Sequence, residues 1–124
     1  MDDDKAFPIA QLSGGACMIA ASGELDASSA WRLQDALGAA SATGASRVIA
    51  DFAAVTYLDA DALAILASCA VQIHRAGGTL VVVTDDPWLL RLLDAEHSRD
   101  VLEVEPTLRE AIERLPVGPG VEGP

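Results

Sequence analysis

Leu80-Val81-Val82-Val83 is the segment that most constrains the fold. It has no polar residue at alternate positions, so a strand formed here must be covered on both faces. Such a strand belongs inside a mostly parallel sheet with helices packed on it. The flanking residues fit. Gly77-Gly78 before the segment ends a helix, because glycine takes the left-handed conformation at the residue past a helix end without steric cost. Asp85-Asp86-Pro87 after it starts another helix, with Pro87 in the first turn.

Reading outward extends the alternation. Arg47 to Val55 contains Val-Ile-Ala-Asp-Phe, a second buried strand, and Thr56-Tyr57-Leu58-Asp59 leads into a helix over 60–76. Ala62, Leu66, Cys69, Ile73 and Ala76 form the inner stripe of that helix, widened by Leu63, Ile65 and Ala70. Upstream, Ala30, Leu33, Leu37 and Ala40 predict a helix over 28–40, with Ser28 or Asp26 as its N-cap. Phe7 to Leu12 and Cys17 to Ala21 flank Ser13-Gly14-Gly15 and read as a hairpin. Downstream, Trp88, Leu89, Leu92 and Leu93 make one more helical stripe, and Val101, Leu102 and Val104 a last strand. Thr107-Leu108-Arg109-Glu110 is a capping box, with Leu108, Ala111, Ile112 and Leu115 on the buried face of its helix.

The expected fold class is α/β, in the order β-β-α-β-α-β-α-β-α. The sheet is mostly parallel with right-handed crossovers, and the hairpin makes one edge antiparallel. One domain spans 7–115. Residues 1–6 are an N-terminal extension, in which Asp2-Asp3-Asp4-Lys5 has the look of a protease-site remnant, and 116–124 are expected to be a disordered Pro/Gly tail.

Composition narrows the function classes. At 51% apolar and 22% charged residues, the 124-residue chain is expected to fold. Its net charge of −11, or −9 without residues 2–5, repels phosphate backbones and anionic headgroups. Nucleic acid and membrane are therefore poor partners, and a protein with a basic patch is a better one. No apolar run approaches the ~20 residues of a membrane span, and no signal peptide opens the chain, so a cytoplasmic location is expected. His74 and His97 stand alone, no Cys/His cluster has metal spacing, and no Gly-rich loop opens a helix. No metal or cofactor is expected.

Chemistry concentrates at Asp59-Ala60-Asp61-Ala62, where a strand ends and a helix begins, the usual functional edge of an open α/β sheet. Asp59 is placed to cap the helix, and Asp61 lies in its first turn, where the helix dipole favours negative charge. On spacing alone both acids are good helix starters, and a binding role stands beside that reading. Ser68, Gln72 and Arg75 lie 7, 11 and 14 residues after Asp61, so one exposed ridge joins the four. Trp31 lies off the inner stripe of its helix, as an interface anchor or as a ring packed over a loop.

These blocks together resemble a STAS domain. Val48-Ile49-Ala50-Asp51-Phe52, Thr56 to Leu63 and Gly77 to Val83 match its core in order and spacing, and Gly23-Glu24-Leu25-Asp26 resembles its Gly-x-Leu-Asp segment. The resemblance covers about residues 7–115. It implies a non-enzymatic regulator similar to bacterial anti-sigma factor antagonists, whose partner is an anti-sigma factor of kinase-type fold. Members of that branch carry Asp-Ser-Ser-Gly at the strand–helix loop, and a kinase phosphorylates the second serine. The matching residues here are Asp59, Ala60, Asp61 and Ala62. Asp61 holds the phosphoacceptor position with one fixed negative charge, against about −1.5 to −2 for a phosphoserine. The usual serine switch is therefore absent. The resemblance implies a partner surface of Asp26, Asp59, Ala60, Asp61 and Ala62, and the helical ridge of Ser68, Gln72 and Arg75 is expected to extend it.

Other readings carry different expectations. A small STAS subunit that binds the ATPase of a phospholipid-transport complex has a similar sequence. A small-ligand-binding domain needs convergent polar groups, and this edge offers acids and alanines. A phosphoaccepting receiver domain needs a lysine after a late strand, and the chain's one lysine is Lys5. Cys17 and Cys69 are expected inside the fold, as ordinary small apolar residues or as a redox pair standing in for the missing phosphorylation switch. The oligomeric state is not fixed by the sequence.

Overall fold

The computed structural model describes residues 7–95 and 100–114. Among these residues the chain forms β1 (Ile9–Leu12), β2 (Ala16–Leu25), α1 (Ala30–Ala42), β3 (Arg47–Leu58), α2 (Ala60–Arg75), β4 (Thr79–Val83), α3 (Pro87–Ala95), β5 (Glu103–Glu105) and α4 (Leu108–Glu113). The sheet order is β1-β2-β3-β4-β5. β1 runs antiparallel to β2, and every other pairing is parallel. The expected α/β order and the antiparallel edge are both present. The expectations for residues 1–6, His97, Leu115 and 116–124 lie outside the described residues.

Because the strands step across the sheet in one direction, their crossovers place α1, α2 and α3 on one face. There Cys17, Ile19, Val48, Ala50, Phe52, Leu80 and Val82 meet Leu33, Leu37, Leu66, Ile73, Leu89 and Leu93 in the main core. The alternate strand residues Ile49, Val81 and Val83 point to the other face, under Ala111 and Leu108 of α4. β4 is thus covered on both sides, as its unbroken apolar run requires.

Gly77 and Gly78 do more than stop α2. Gly77 takes φ +90° and donates to His74 O at 2.9 Å, while Gly78 donates to Ile73 O at 2.9 Å. This pair of bonds is a Schellman cap, which satisfies two carbonyls that the helix end leaves open. A Cβ on Gly78 would come within 3.0 Å of Ser46 O and 3.1 Å of an Ile73 methyl, so the chain needs glycine there to begin β4 beside β3.

Several boundaries differ from the sequence reading. β2 continues past Ala21 to Leu25, and β3 past Val55 to Leu58, because the two strands pair with each other out to Leu25↔Leu58. Register shifts beside Gly23, at φ +80°, absorb the twist of these long strands. α1 begins at Ala30, and neither Ser28 nor Asp26 is its N-cap. Ser29 occupies that position without a side-chain cap, because residues 26–29 form a separate turn tied together by the Asp26 carboxylate. Ala76 is exposed as the α2 C-cap, Ile65 is only half-buried, and Ile112 is exposed on α4. Trp88, placed by periodicity on the inner stripe of α3, is 37% exposed, because the first turn of α3 overhangs the end of β4.

Candidate functional site

The carboxyl ends of β2, β3 and β4 lie side by side and deliver three short loops to one edge. The loop after β3 is built around Asp59. Its backbone is extended (φ −94°, ψ −179°), and its Oδ1 accepts the Ala62 N–H at 2.9 Å, the cap expected for α2. Its Oδ2 accepts the Ala27 N–H at 3.1 Å, across 32 residues. Its own N–H donates to Leu25 O at 3.0 Å. One aspartate therefore starts α2 and fastens the β2–α1 turn to the β3–α2 turn.

Asp26 organises its own turn. Oδ1 accepts the Ser28 N–H at 2.9 Å, the Ser28 hydroxyl at 2.7 Å and the Ser29 N–H at 3.2 Å. The Ser28 hydroxyl, helped by these backbone N–H groups, holds the Asp26 carboxyl below the usual carboxylate range. The turn is pre-formed and charged at neutral pH.

Ala60 and Asp61 are exposed at the start of α2, whereas Ala62 is fully buried and contributes its capped N–H rather than a surface. Ser68, Gln72 and Arg75 are exposed along the same helix. Ser68 and Gln72, together with Gln34 and Gly38 of α1, line a shallow groove of about 320 Å³ between the two helices. Cys69 forms part of its floor, and burial pushes its thiol above the ordinary range. Cys17 lies fully buried in β2, and both cysteines are free thiols. Trp31 is 46% exposed on α1.

The edge is strongly polarised. Residues 24–29, 57–61 and 84–88 carry six carboxylates, from Glu24, Asp26, Asp59, Asp61, Asp85 and Asp86, and no Lys, Arg or His. One feature of the edge escaped the sequence reading. Tyr57, 45% exposed near the end of β3, stacks on Trp88 with ring centroids 5.9 Å apart and an interplanar angle of 16°. β3–β4 pairing ends at Asp51↔Val83, so Tyr57 stands beyond the last paired residue of β4 and meets the overhanging turn of α3. Two exposed aromatics at adjacent strand exits were the available signal.

Among the described residues, no group of three His, Cys, Asp or Glu is arranged to hold a metal ion, and no helix is long and apolar enough to cross a membrane. The edge offers carboxylates, exposed backbone turns and an exposed aromatic pair.

Comparisons with known proteins agree with this geometry. A sequence model of the STAS domain matches residues 7–111. The fold is similar to that of an anti-sigma factor antagonist from Mycobacterium paratuberculosis, with TM-score 0.79 and 25% identity over 93% of this chain and 97% of that one. It is also similar to the anti-sigma factor antagonist SpoIIAA in its unphosphorylated form, with TM-score 0.68 and 18% identity over 88% of this chain and 96% of that one. The phosphorylated form of the Bacillus cell fate determinant SpoIIAA gives TM-score 0.69 and 18% identity over 90% of this chain and 100% of that one. No curated protein sequence matches the chain. Strand order, the capped β3–α2 loop and the match over residues 7–111 converge: the chain belongs to the STAS domain family.

Proposed function

We propose that the protein is a non-enzymatic anti-sigma factor antagonist that docks the Asp59–Ala62 loop and the exposed side of α2 onto an anti-sigma factor of kinase-type fold. Binding occupies the anti-sigma factor and frees a sigma factor for transcription, so the outcome follows mass action between two competitors for one protein. The observation that carries this reading is the position of Asp61. It is exposed in the first turn of α2, on a loop that Asp59 fixes from both sides, and continuous with Ser68, Gln72 and Arg75. The similarity to the mycobacterial antagonist supports it.

Asp61 supplies a permanent charge where the resembling antagonists carry a phosphorylatable serine. The antagonist is then constitutive, and its activity tracks its concentration. Titration of the purified protein against each anti-sigma factor of the source organism tests this. Saturable binding to at least one of them is expected, and the absence of binding to all of them contradicts the reading.

A further inference from the structure

The aromatic pair at the acidic edge has no part in the core. Tyr57 and Trp88 are large, flat and substantially exposed, although each costs free energy to leave in water. Their stack is held in place rather than loosely draped. The Thr84 hydroxyl accepts the Asp86 N–H at 3.2 Å, and Asp86 Oδ1 accepts the Trp88 N–H at 2.9 Å, which fixes the turn that carries Trp88. Tyr57 is fixed by strand pairing, with Glu24↔Tyr57 in register. The two rings form an aromatic platform on a hydrogen-bonded backbone.

What surrounds the platform selects its occupant. Asp59 and Asp61 follow Tyr57 in sequence, Asp85 and Asp86 precede Trp88, and no basic side chain lies in the three loops of this edge. The faces of aromatic rings carry negative potential, and the carboxylates add to it. A hydrophobic occupant would leave these carboxylates facing apolar surface. A cation satisfies both the rings and the acids. A planar guanidinium stacks flat on a ring face while its edge N–H groups reach carboxylates, whereas an ammonium has no flat face to stack.

We propose that the Tyr57–Trp88 stack is a docking platform for an arginine side chain of a protein partner, with Asp61 and Asp85, exposed in the segments that follow Tyr57 and precede Trp88, to receive the guanidinium edge. The platform extends the docking surface from α2 across the exits of β3 and β4 to the start of α3. Identification of that partner as an anti-sigma factor rests on the function proposed above, whereas the platform's preference for arginine does not.

The test uses the full chain with Trp31→Phe, in which tryptophan emission reports Trp88 alone. The probes are the peptides acetyl-Gly-Arg-Gly-Arg-Gly-amide and its counterpart with glutamine at both arginine positions. Saturable, salt-sensitive change in Trp88 emission with the arginine peptide, and none with the glutamine peptide, is expected. Trp88→Leu, which keeps an apolar side chain without a ring face, should weaken binding of the anti-sigma factor identified by titration about fivefold or more. Equal response to both peptides, or Trp88→Leu affinity within twofold of wild type, overturns the platform. If no anti-sigma factor binds the wild-type chain, the functional reading fails and the peptide titration still decides the platform. If Trp88→Leu does not fold, judged by circular dichroism, that titration again decides alone.

Discussion

Ala27 and Asp59 lie 32 residues apart in sequence and are joined by a 3.1 Å hydrogen bond from the Ala27 N–H to Asp59 Oδ2. With Oδ1 capping α2, this carboxylate couples the exits of two adjacent parallel strands. The edge that carries Asp26 and Asp61 is thereby a single preorganised surface rather than two independent turns.

Removal of that carboxylate has a defined effect. Asp59→Ala loses an N-cap, worth about 1 kcal/mol, and frees the Ala27 amide as well. A loss of about 1–2 kcal/mol in denaturant unfolding is expected, with faster hydrogen exchange at Ala27 and Ala62 and little change in the amides of β4. Unchanged exchange at Ala27 would show that the cross-loop bond does not form in solution.

The Asp26 turn makes a pH-dependent contribution. Its carboxyl is held below the ordinary value of about 3.8, first by the Ser28 hydroxyl. A lowered folded value means that the turn stabilises the fold at pH above 3.8 and loses that contribution as pH falls through the depressed value. Ser28→Ala should therefore be less stable than wild type at neutral pH, and the gap should narrow below pH 3.8. A gap constant from pH 7 to pH 3 would contradict the assignment.

The loop offers no hydroxyl to a serine kinase, since residues 57–67 contain neither Ser nor Thr. Incubation with the partner kinase and labelled ATP should leave this segment unlabelled by mass mapping. Label on any residue of the segment would refute the constitutive reading.

The cysteines should differ in reactivity. Cys69 is buried with its thiol pushed above the ordinary range, but it lines the α1–α2 groove, while Cys17 is fully enclosed. Maleimide labelling at neutral pH should reach Cys69 before Cys17, and both should react more slowly than in urea. Mass mapping after mild oxidation tests the alternative to a constitutive antagonist, a redox switch made of Cys17 and Cys69. A Cys17–Cys69 bridge, together with an altered partner affinity, supports it, and two free thiols exclude it.

How much of this was legible in the sequence depends on the range of the interactions. Leu80–Val83 and the stripe of Leu66, Cys69 and Ile73 announce themselves through local periodicity, and Asp59 is a recognisable cap because the cap bond spans three residues. The full length of β2 and β3 was hidden, since Gly23 looks like a break, Thr56-Tyr57-Leu58 reads as the lead into α2, and only the pairing out to Leu25↔Leu58 carries the strands through. The second bond of Asp59 depends on a turn 32 residues away. Trp88 satisfies the helical spacing of α3, and its exposure follows only from where β4 stops.

On the function proposed above, this surface, with Asp61 at its centre, displaces a sigma factor from an anti-sigma factor. The most direct measurement is sigma release from a preformed sigma–anti-sigma complex, by fluorescence anisotropy of labelled sigma, as the wild-type protein, Asp61→Ser or Glu113→Ser is added. Wild type and Glu113→Ser, altered in α4 on the other face of the sheet, should release sigma at matching concentrations, and Asp61→Ser should shift the midpoint several-fold. No release by wild type, or superimposable curves for Asp61→Ser and Glu113→Ser, would contradict the account.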